Sequence, residues 1–276
     1  MKPTHLFTLA IFSAALLLTS CHDGDKAADT TSKEPKMKED NITYTGDGVT
    51  MQGYVVYDEN KEGPRPAVVV IPEWWGLNDY IKGRAKKLAE LGYIALAMDM
   101  YGDGKTADNP DSAGKLATPF YQKPQMAKAR FDAALAKLRS YPQADSSKLA
   151  AMGYCFGGGM VLNLARLGEN LKGVVSFHGS LLGTPADKNL LKADILVCHG
   201  AADPFVPQSE VDQFKKQMDS IGARYTFKAY EGATHAFTNP NATAVGEKFK
   251  IPIAYNAAAD TASWKDMKDF FNTIFK

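Results

Sequence analysis

The stretch KLAAMGYCFGGGMVLNLARLGEN, residues 148–170, decides the fold. Its first seven residues are mainly apolar and predict a buried strand, and residues 159–170 have the apolar spacing of a helix. Between them, Gly153 and Gly157 flank Cys155 at two residues to either side. Glycines at these places permit strained backbone angles and close packing. The sequence therefore predicts an abrupt strand-to-helix turn that lifts the Cys155 sulfur above a sheet.

This glycine-rich turn has other interpretations. A dinucleotide-binding loop, G-x-G-x-x-G, needs glycine where Cys155 stands, and the Gly-Lys-Ser or Gly-Lys-Thr of a phosphate-binding loop is missing. Taken alone, the turn could also hold an inert buried cysteine. The N-terminus of the following helix would instead stabilise a thiolate. The turn by itself leaves both the inert and the reactive thiol open.

Strand-like and helix-like segments alternate on both sides of the turn. The predicted strands cover residues 65–72, 93–100, 148–154, 172–179, 193–200 and 224–232. The predicted helices cover residues 80–92, 124–140, 159–170, 209–222 and 257–275. Residues 42–59 predict an antiparallel hairpin at one edge, and residues 102–124 predict a mobile flap without a regular element. We expect an α/β fold with a mostly parallel central sheet, antiparallel N-terminal edge strands and helices on both faces.

Composition is consistent with one folded domain. The chain has 276 residues, of which 45% are hydrophobic, and 32 basic against 31 acidic residues leave a net charge of +1. No large field of one sign is available to hold a nucleic acid or an anionic membrane. We expect no nucleic-acid partner.

The N-terminus predicts export. Residues 1–20 combine Lys2 with a short apolar run, and LTSC at 18–21 resembles the bacterial lipobox, which implies cleavage before Cys21 and lipid attachment to its sulfur. An ordinary signal peptide is the alternative. Residues 21–40 predict a flexible tether and 41–276 the folded domain. We expect a protein of the bacterial cell envelope that meets a membrane only through a lipid at Cys21.

Two more chemically suggestive residues follow predicted strands. Asp203 comes after strand 193–200, and His235 comes after strand 224–232. The chain order of nucleophile, acid and base is that of α/β-hydrolases. His235 would then take a proton from Cys155 and return one to the leaving group, while Asp203 would hold the imidazole in the useful tautomer. Together with the turn, these residues predict a catalytic triad.

The remaining histidines and cysteines have plainer interpretations. His178 and His199 have no metal-ligand spacing to any partner, so we predict hydrogen-bonded supporting groups, no metal and no cofactor. A disulfide between Cys155 and Cys198 is an alternative to the reactive thiol, since export would permit it. That bridge would consume the predicted nucleophile.

A loop at residues 71–78, IPEWWGLN, follows the first long strand. In α/β-hydrolases this loop supplies one backbone N–H of the oxyanion hole, and the residue after the nucleophile supplies the other. Trp74 and Phe156 are therefore the predicted donors. Glu73 would lie close to Cys155, either as a second proton acceptor for the thiol or as a solvated loop charge.

Five blocks in this order, IPEWWGLN, AMDMYG, GYCFGGGM, HGAADPFVP and THAFTNP, resemble the dienelactone hydrolase family over residues 41–276. The resemblance implies a compact α/β-hydrolase with little or no cap and a triad of Cys155, Asp203 and His235. It also implies that Glu73 contacts the resting thiol and becomes its base when substrate displaces it.

The chain departs from that family at the substrate carboxylate. The best-known family members hold a lactone carboxylate with two arginines, one just after the D-x-Y strand end and one four residues beyond the catalytic histidine. In this chain Gly102 and Asp103 stand at the first of these positions, and Asn239 stands at the second. An anionic dienelactone would therefore lack its charged partners. The predicted pocket residues are aromatic and suit an apolar acyl or leaving group: Trp75, Tyr101, Phe205 and Phe237.

The predicted function is hydrolysis of small carboxylic esters or lactones through a thioester acyl-enzyme, by a monomer. A peptidase or a carbon–carbon bond hydrolase on the same fold is the alternative within enzymes. A non-catalytic binding lipoprotein is the alternative outside them, because a fold does not determine a function.

Overall fold

A computed structural model describes residues 34–276, and residues 35–276 form one compact unit. The predicted signal peptide, Cys21 and residues 22–33 of the predicted tether lie outside the described residues. The strands are β1 (Met37–Gly46), β2 (Val49–Asp58), β3 (Arg65–Ile71), β4 (Ile94–Ala97), β5 (Ala144–Tyr154), β6 (Gly173–Phe177), β7 (Asp194–Gly200) and β8 (Tyr225–Tyr230). The helices are α1 (Asp79–Glu90), α2 (Pro110–Gln122), α3 (Pro124–Arg139), α4 (Phe156–Arg166), α5 (Gln208–Ser220), α6 (Ala242–Phe249) and α7 (Ala257–Ile274).

The strands form one sheet in the order β1-β2-β4-β3-β5-β6-β7-β8. Strands β3 to β8 run parallel, and the β1–β2 hairpin is antiparallel and joins β4 at one edge. The predicted α/β class and the antiparallel edge strands are confirmed. Because these strands run parallel, the loops that follow β3, β5, β7 and β8 meet at the carboxyl-terminal end of the sheet.

The hairpin begins earlier than the sequence indicates. Met37 pairs with Asp58, so four residues assigned to the tether extend β1. Their charged side chains concealed the strand. An edge strand accommodates such charges because one of its sides faces solvent.

Two cores cover the sheet. Along β3, Val69 and Ile71 belong to the core that includes side chains of α3 and α4, and Val68 and Val70 belong to the core that includes side chains of α1 and α7. Successive strand residues point to opposite faces. The consecutive apolar residues of β3 therefore pack into the cores on both faces of the sheet. The predicted helices on both faces are confirmed.

The prediction of a flap without regular structure at 102–124 is wrong, because α2 occupies residues 110–122. Asn109 caps the helix by accepting the Ser112 N–H at 2.9 Å, and Pro110 stands at the first helical position. Gly114 and Pro119 inside the segment hid a buried stripe of Ala113, Ala117 and Phe120. Helix α6 was also missed. No helix in the described part of the chain is long and apolar enough to cross a membrane.

Candidate active site

The nucleophile turn joins β5 to α4. Strand β5 ends at Tyr154, and α4 begins at Phe156, three residues before the predicted helix. Cys155 between them has φ 53° and ψ −114°. A non-glycine residue with positive φ is strained, and such strain persists only where the surroundings enforce it. The turn therefore holds Cys155 in the conformation of a nucleophile elbow.

The two flanking glycines allow backbones to approach closely. A Cβ at Gly153 would overlap the Gly157 carbonyl, and a Cβ at Gly157 would overlap the carbonyls of Ile71 and Pro72. The Gly157 N–H also donates to the Pro72 oxygen at 3.1 Å. The packing of the turn on the end of β3 thus requires glycine at both positions.

Gly157→Ala should lower the free energy of unfolding by about 1–3 kcal/mol, because the added methyl meets backbone that cannot move aside. The matched control is Gly83→Ala in α1, where an added Cβ meets nothing within 4 Å. That control should stabilise the protein by about 0.5–1 kcal/mol. Urea unfolding midpoints measure both changes. A Gly157→Ala variant as stable as the native chain would contradict the packing described.

The structure brings Cys155, Asp203 and His235 together. Asp203 lies in the loop after β7, and its Oδ2 lies 2.8 Å from His235 Nδ1. Its Oδ1 accepts the Phe205 N–H at 2.9 Å, which fixes the carboxylate plane. His235 lies in the loop after β8, where its side chain lines the same cavity as Cys155 and interacts electrostatically with it. Thiol, imidazole and carboxylate are therefore connected in series.

The charges of this series favour a protonated imidazole. Burial opposes the charge on His235, but a Cys155 thiolate and the hydrogen bond to Asp203 outweigh it and raise the pKa of His235 to about 10. His235 thus holds its proton at neutral pH when the sulfur is ionised.

Two of the three backbone N–H groups at residues 155–157 donate hydrogen bonds within the described part of the protein, and the third does not. The Cys155 N–H donates to the Phe177 oxygen at 3.0 Å, and the Gly157 N–H donates to Pro72. The N–H of Phe156, the first residue of α4, has no acceptor within its own helix. Of these three amides, Phe156 is the one left for an oxyanion. Trp74, whose backbone N–H is the other predicted donor of the oxyanion hole, borders the same cavity as Cys155.

Glu73 is buried, with 1% of its surface exposed, and lines the same cavity as Cys155. Its Oε2 accepts a hydrogen bond from Asn239 Nδ2 at 2.8 Å. Burial raises the pKa of Glu73 to about 7, against the lowering effect of the Asn239 hydrogen bond. Glu73 is not a solvated loop charge. The resemblance predicts the thiol as its resting partner, whereas the structure pairs Glu73 with Asn239 and the thiol with His235.

The cavity lined by Cys155 and His235 has a volume of about 240 Å³ and is mainly apolar. The sequence predicted three of its aromatic walls: Trp74, Trp75 and Phe205. It missed the wall residues supplied by α2 and by other loops, namely Tyr121, Ser180, Val206, Ala236, Ile251 and Ile253. No lysine or arginine of residues 34–276 lines this cavity. A larger groove of about 580 Å³ along β8 and α7 is lined by no cysteine, serine or histidine of the described residues.

Tyr101 and Phe237 are not pocket residues. The Tyr101 ring is buried against Phe120 and Phe156, and its hydroxyl donates to the Trp74 carbonyl at 2.9 Å. Phe237 is fully buried and packs on His178. Sequence proximity to the triad misled the prediction, because side chains of neighbouring residues can point away from a cavity. Tyr101 instead supports the loop that carries Trp74.

His178 is the hydrogen-bonded supporting residue that the sequence predicts. Its Nδ1 accepts the Cys155 N–H at 3.1 Å, so Nε2 carries the proton and donates to Thr238 Oγ1 at 2.7 Å. Burial, together with nearby His235 and Arg84, holds the pKa of His178 well below its usual range. A neutral His178 thus connects the nucleophile turn to the loop that carries His235.

His199 differs from the prediction, since its buried Nδ1 has no partner among the described residues. Cys155 and Cys198 are both free, which excludes the alternative disulfide in this structure. Burial raises the pKa of Cys198 to about 12, so it is the inert cysteine of the two. Across residues 34–276, no cluster of three or more His, Cys, Asp or Glu side chains could hold a metal ion.

Residues 51–275 match the model of the dienelactone hydrolase family. The chain belongs to that family. Protein usf of Aquifex pyrophilus is 31% identical over 220 residues, which cover 78% of this chain and 94% of the relative. The mostly parallel sheet of this chain and its strand-to-helix turn are those of the α/β-hydrolase fold. The chain is a hydrolase of the dienelactone hydrolase type.

Solved structures of family members agree. A dienelactone hydrolase-like promiscuous phosphotriesterase, P91, from metagenomic libraries is 37% identical, with a TM-score of 0.81 over 87% of this chain and 99% of that one. A protein called m3DLH is also 37% identical, with a TM-score of 0.82 over the same shares. Both similarities extend across the α/β domain of this chain.

Proposed function

We propose that this protein hydrolyses uncharged carboxylic esters or lactones through a thioester on Cys155. One observation carries the proposal: a strained cysteine contacts a histidine–aspartate pair beneath a mainly apolar cavity. A binding protein needs no such series of nucleophile, base and acid. Trp74, Trp75 and Phe205 would hold the acyl or leaving group by apolar contact.

Acylation would begin from the ion pair. The Cys155 thiolate attacks the ester carbonyl carbon, and the carbonyl oxygen takes the negative charge beside the N–H groups of Phe156 and Trp74. The carbon–oxygen ester bond then breaks as His235 gives its Nε2 proton to the departing alkoxide. The products are the alcohol and a thioester, with His235 left neutral.

Deacylation would use the same histidine as a base. Neutral His235 takes a proton from water, and the resulting hydroxide attacks the thioester carbonyl. The carbon–sulfur bond breaks, the acid leaves, and the Cys155 thiolate again faces an imidazolium. Asp203 stabilises that imidazolium in both half-reactions by its 2.8 Å contact with Nδ1.

The cavity favours uncharged substrates. A substrate carboxylate would meet the Glu73 carboxyl and apolar walls, and no lysine or arginine lines the described cavity. A buried charge without a partner costs more than a charge-assisted hydrogen bond returns. We therefore expect selection against anionic esters.

The test compares two 4-nitrophenyl esters that differ in one carboxylate, the butanoate and the hydrogen succinate, using residues 34–276. We expect turnover of the butanoate, with the acyl group found by mass spectrometry on the peptide that contains Cys155. The succinate should have a kcat/KM at least about tenfold lower, a difference of about 1.4 kcal/mol. Equal values for the two esters would contradict the charge argument, and turnover of neither would contradict the hydrolase proposal.

Phosphotriester hydrolysis is a second candidate, favoured by the 37% identity to P91. Diethyl 4-nitrophenyl phosphate is uncharged and releases the same nitrophenolate, so it fits the same assay. Cys155 would attack phosphorus and His235 would assist the departure of the leaving group. Export, the lipid at Cys21 and a monomeric state stay predictions of the sequence.

A further inference from the structure

The pairing of Glu73 with Asn239 shows a buried carboxyl held by a neutral amide. Both residues are buried, with exposed fractions of 1% and 7%, and 2.8 Å separates Glu73 Oε2 from Asn239 Nδ2. The Asn239 amide has a defined orientation, since its Oδ1 accepts the Asn241 N–H at 3.0 Å. Only the Nδ2 side can then face Glu73.

The backbone around Asn239 is also anchored. The adjacent Thr238 receives the His178 proton on its Oγ1, and its carbonyl accepts a hydrogen bond from Arg84. Arg84 in turn contacts Asp260 at 2.7 Å, which links this loop to α7. The donor that holds Glu73 therefore stands on a rigid support.

The direction in which Glu73 is held matters for the nucleophile. Glu73 and Cys155 line one cavity, so a released carboxylate could turn towards the sulfur. A negative charge near a thiolate disfavours it, and a carboxylate near His235 would compete with the sulfur for the imidazolium. His235 and Arg84 are the charged groups that act on Glu73.

We propose that Asn239 is a positioning residue that holds Glu73 away from the thiol, so that Cys155 pairs with His235 before any substrate binds. Activation by an incoming substrate anion is then unnecessary, and the site is primed for uncharged electrophiles. The inference rests on the proposed cysteine-hydrolase function, but its test needs no ester turnover.

The experiment measures the rate of Cys155 alkylation by iodoacetamide in the resting protein at about pH 8, where Glu73, whose pKa lies at about 7, is mostly ionised. The native protein should react faster than its own urea-unfolded form. Asn239→Leu removes the donor and should slow alkylation severalfold, because an ionised Glu73 free to turn towards the sulfur lowers the thiolate fraction. Asn239→Asp keeps the acceptor for the Asn241 N–H, loses the donor and should slow it likewise.

Two further variants separate positioning from general damage. The double variant Asn239→Leu, Glu73→Gln should recover the native rate, because the neutral amide cannot oppose the thiolate. Asn241→Ala, an exposed neighbour that makes no side-chain contact with Glu73, should react as the native protein does. Native alkylation rates in both Asn239 variants, or no recovery in the double variant, would overturn the proposal. If this pattern holds but no ester is hydrolysed, the proposed function fails and the positioning role stands.

Discussion

Cys155→Ala should lower kcat/KM for 4-nitrophenyl butanoate by at least about 10⁴-fold, because it removes the proposed nucleophile beside the His235–Asp203 pair. The site should otherwise persist, since Cys155 is a small side chain and alanine leaves the His235–Asp203 contact in place. Cys155→Ser should recover only part of the loss. Its hydroxyl is not ionised at rest, so His235 would have to remove the proton during the attack.

The matched control for this prediction is the other described cysteine. Cys198 is buried in β7, and its sulfur accepts a hydrogen bond from the Tyr230 hydroxyl at 3.5 Å, away from the cavity. Cys198→Ala should keep nearly all of the activity and lose only a little stability. Full activity in Cys155→Ala, or loss of activity in Cys198→Ala alone, would show that the nucleophile is misassigned.

Asp203→Asn should lower kcat by about 10³–10⁴-fold while leaving the fold intact. The reason lies in the two contacts of the carboxylate. One oxygen accepts the Phe205 N–H at 2.9 Å and the other faces His235 Nδ1 at 2.8 Å. Asparagine can satisfy the Phe205 N–H only by turning its NH₂ towards His235. Nδ1 must then be unprotonated to accept the hydrogen bond from that NH₂, so Nε2 carries the ring hydrogen and cannot serve as a base in deacylation.

Loss of the Asp203 charge should also lower the pKa of His235, since that carboxylate helps to raise it. The imidazolium of the resting pair would then lose its proton at a lower pH, and alkylation of Cys155 near neutral pH should slow as well. Asp212→Asn on α5, an exposed aspartate remote from the cavity, is the control and should leave both rates unchanged. The prediction is wrong if Asp203→Asn keeps more than about one tenth of the native kcat.

The convergence of the three proposed catalytic residues could be predicted because each of them follows its own strand. Parallel strands place their carboxyl ends at one edge of the sheet, so Cys155, Asp203 and His235 converge without any knowledge of side-chain packing. Gly153 and Gly157 marked the turn for an equally local reason, since only glycine fits where backbones approach this closely.

The cavity walls could not be predicted in the same way. Tyr121 and Ile253 come from segments without a strong periodic pattern, and they reach the site through the packing of α2 and of the loop after α6. Tyr101 stands beside the site in sequence, yet its ring points into the core. Which way such a side chain faces depends on neighbours that are remote in the chain.

The sequence by itself determined the α/β class and the chain order of Cys155, Asp203 and His235, each after its own strand. It also determined the absence of arginine at the two expected carboxylate-binding positions. These follow from local patterns: apolar periodicity, glycine at a tight turn and the residue that follows each strand. The tertiary structure alone decided that Asn239 rather than the thiol holds Glu73, and that His178 connects the nucleophile turn to the His235 loop. Hydrogen bonds between residues separated by 166 and 60 positions depend on how the loops pack, and no local pattern encodes that.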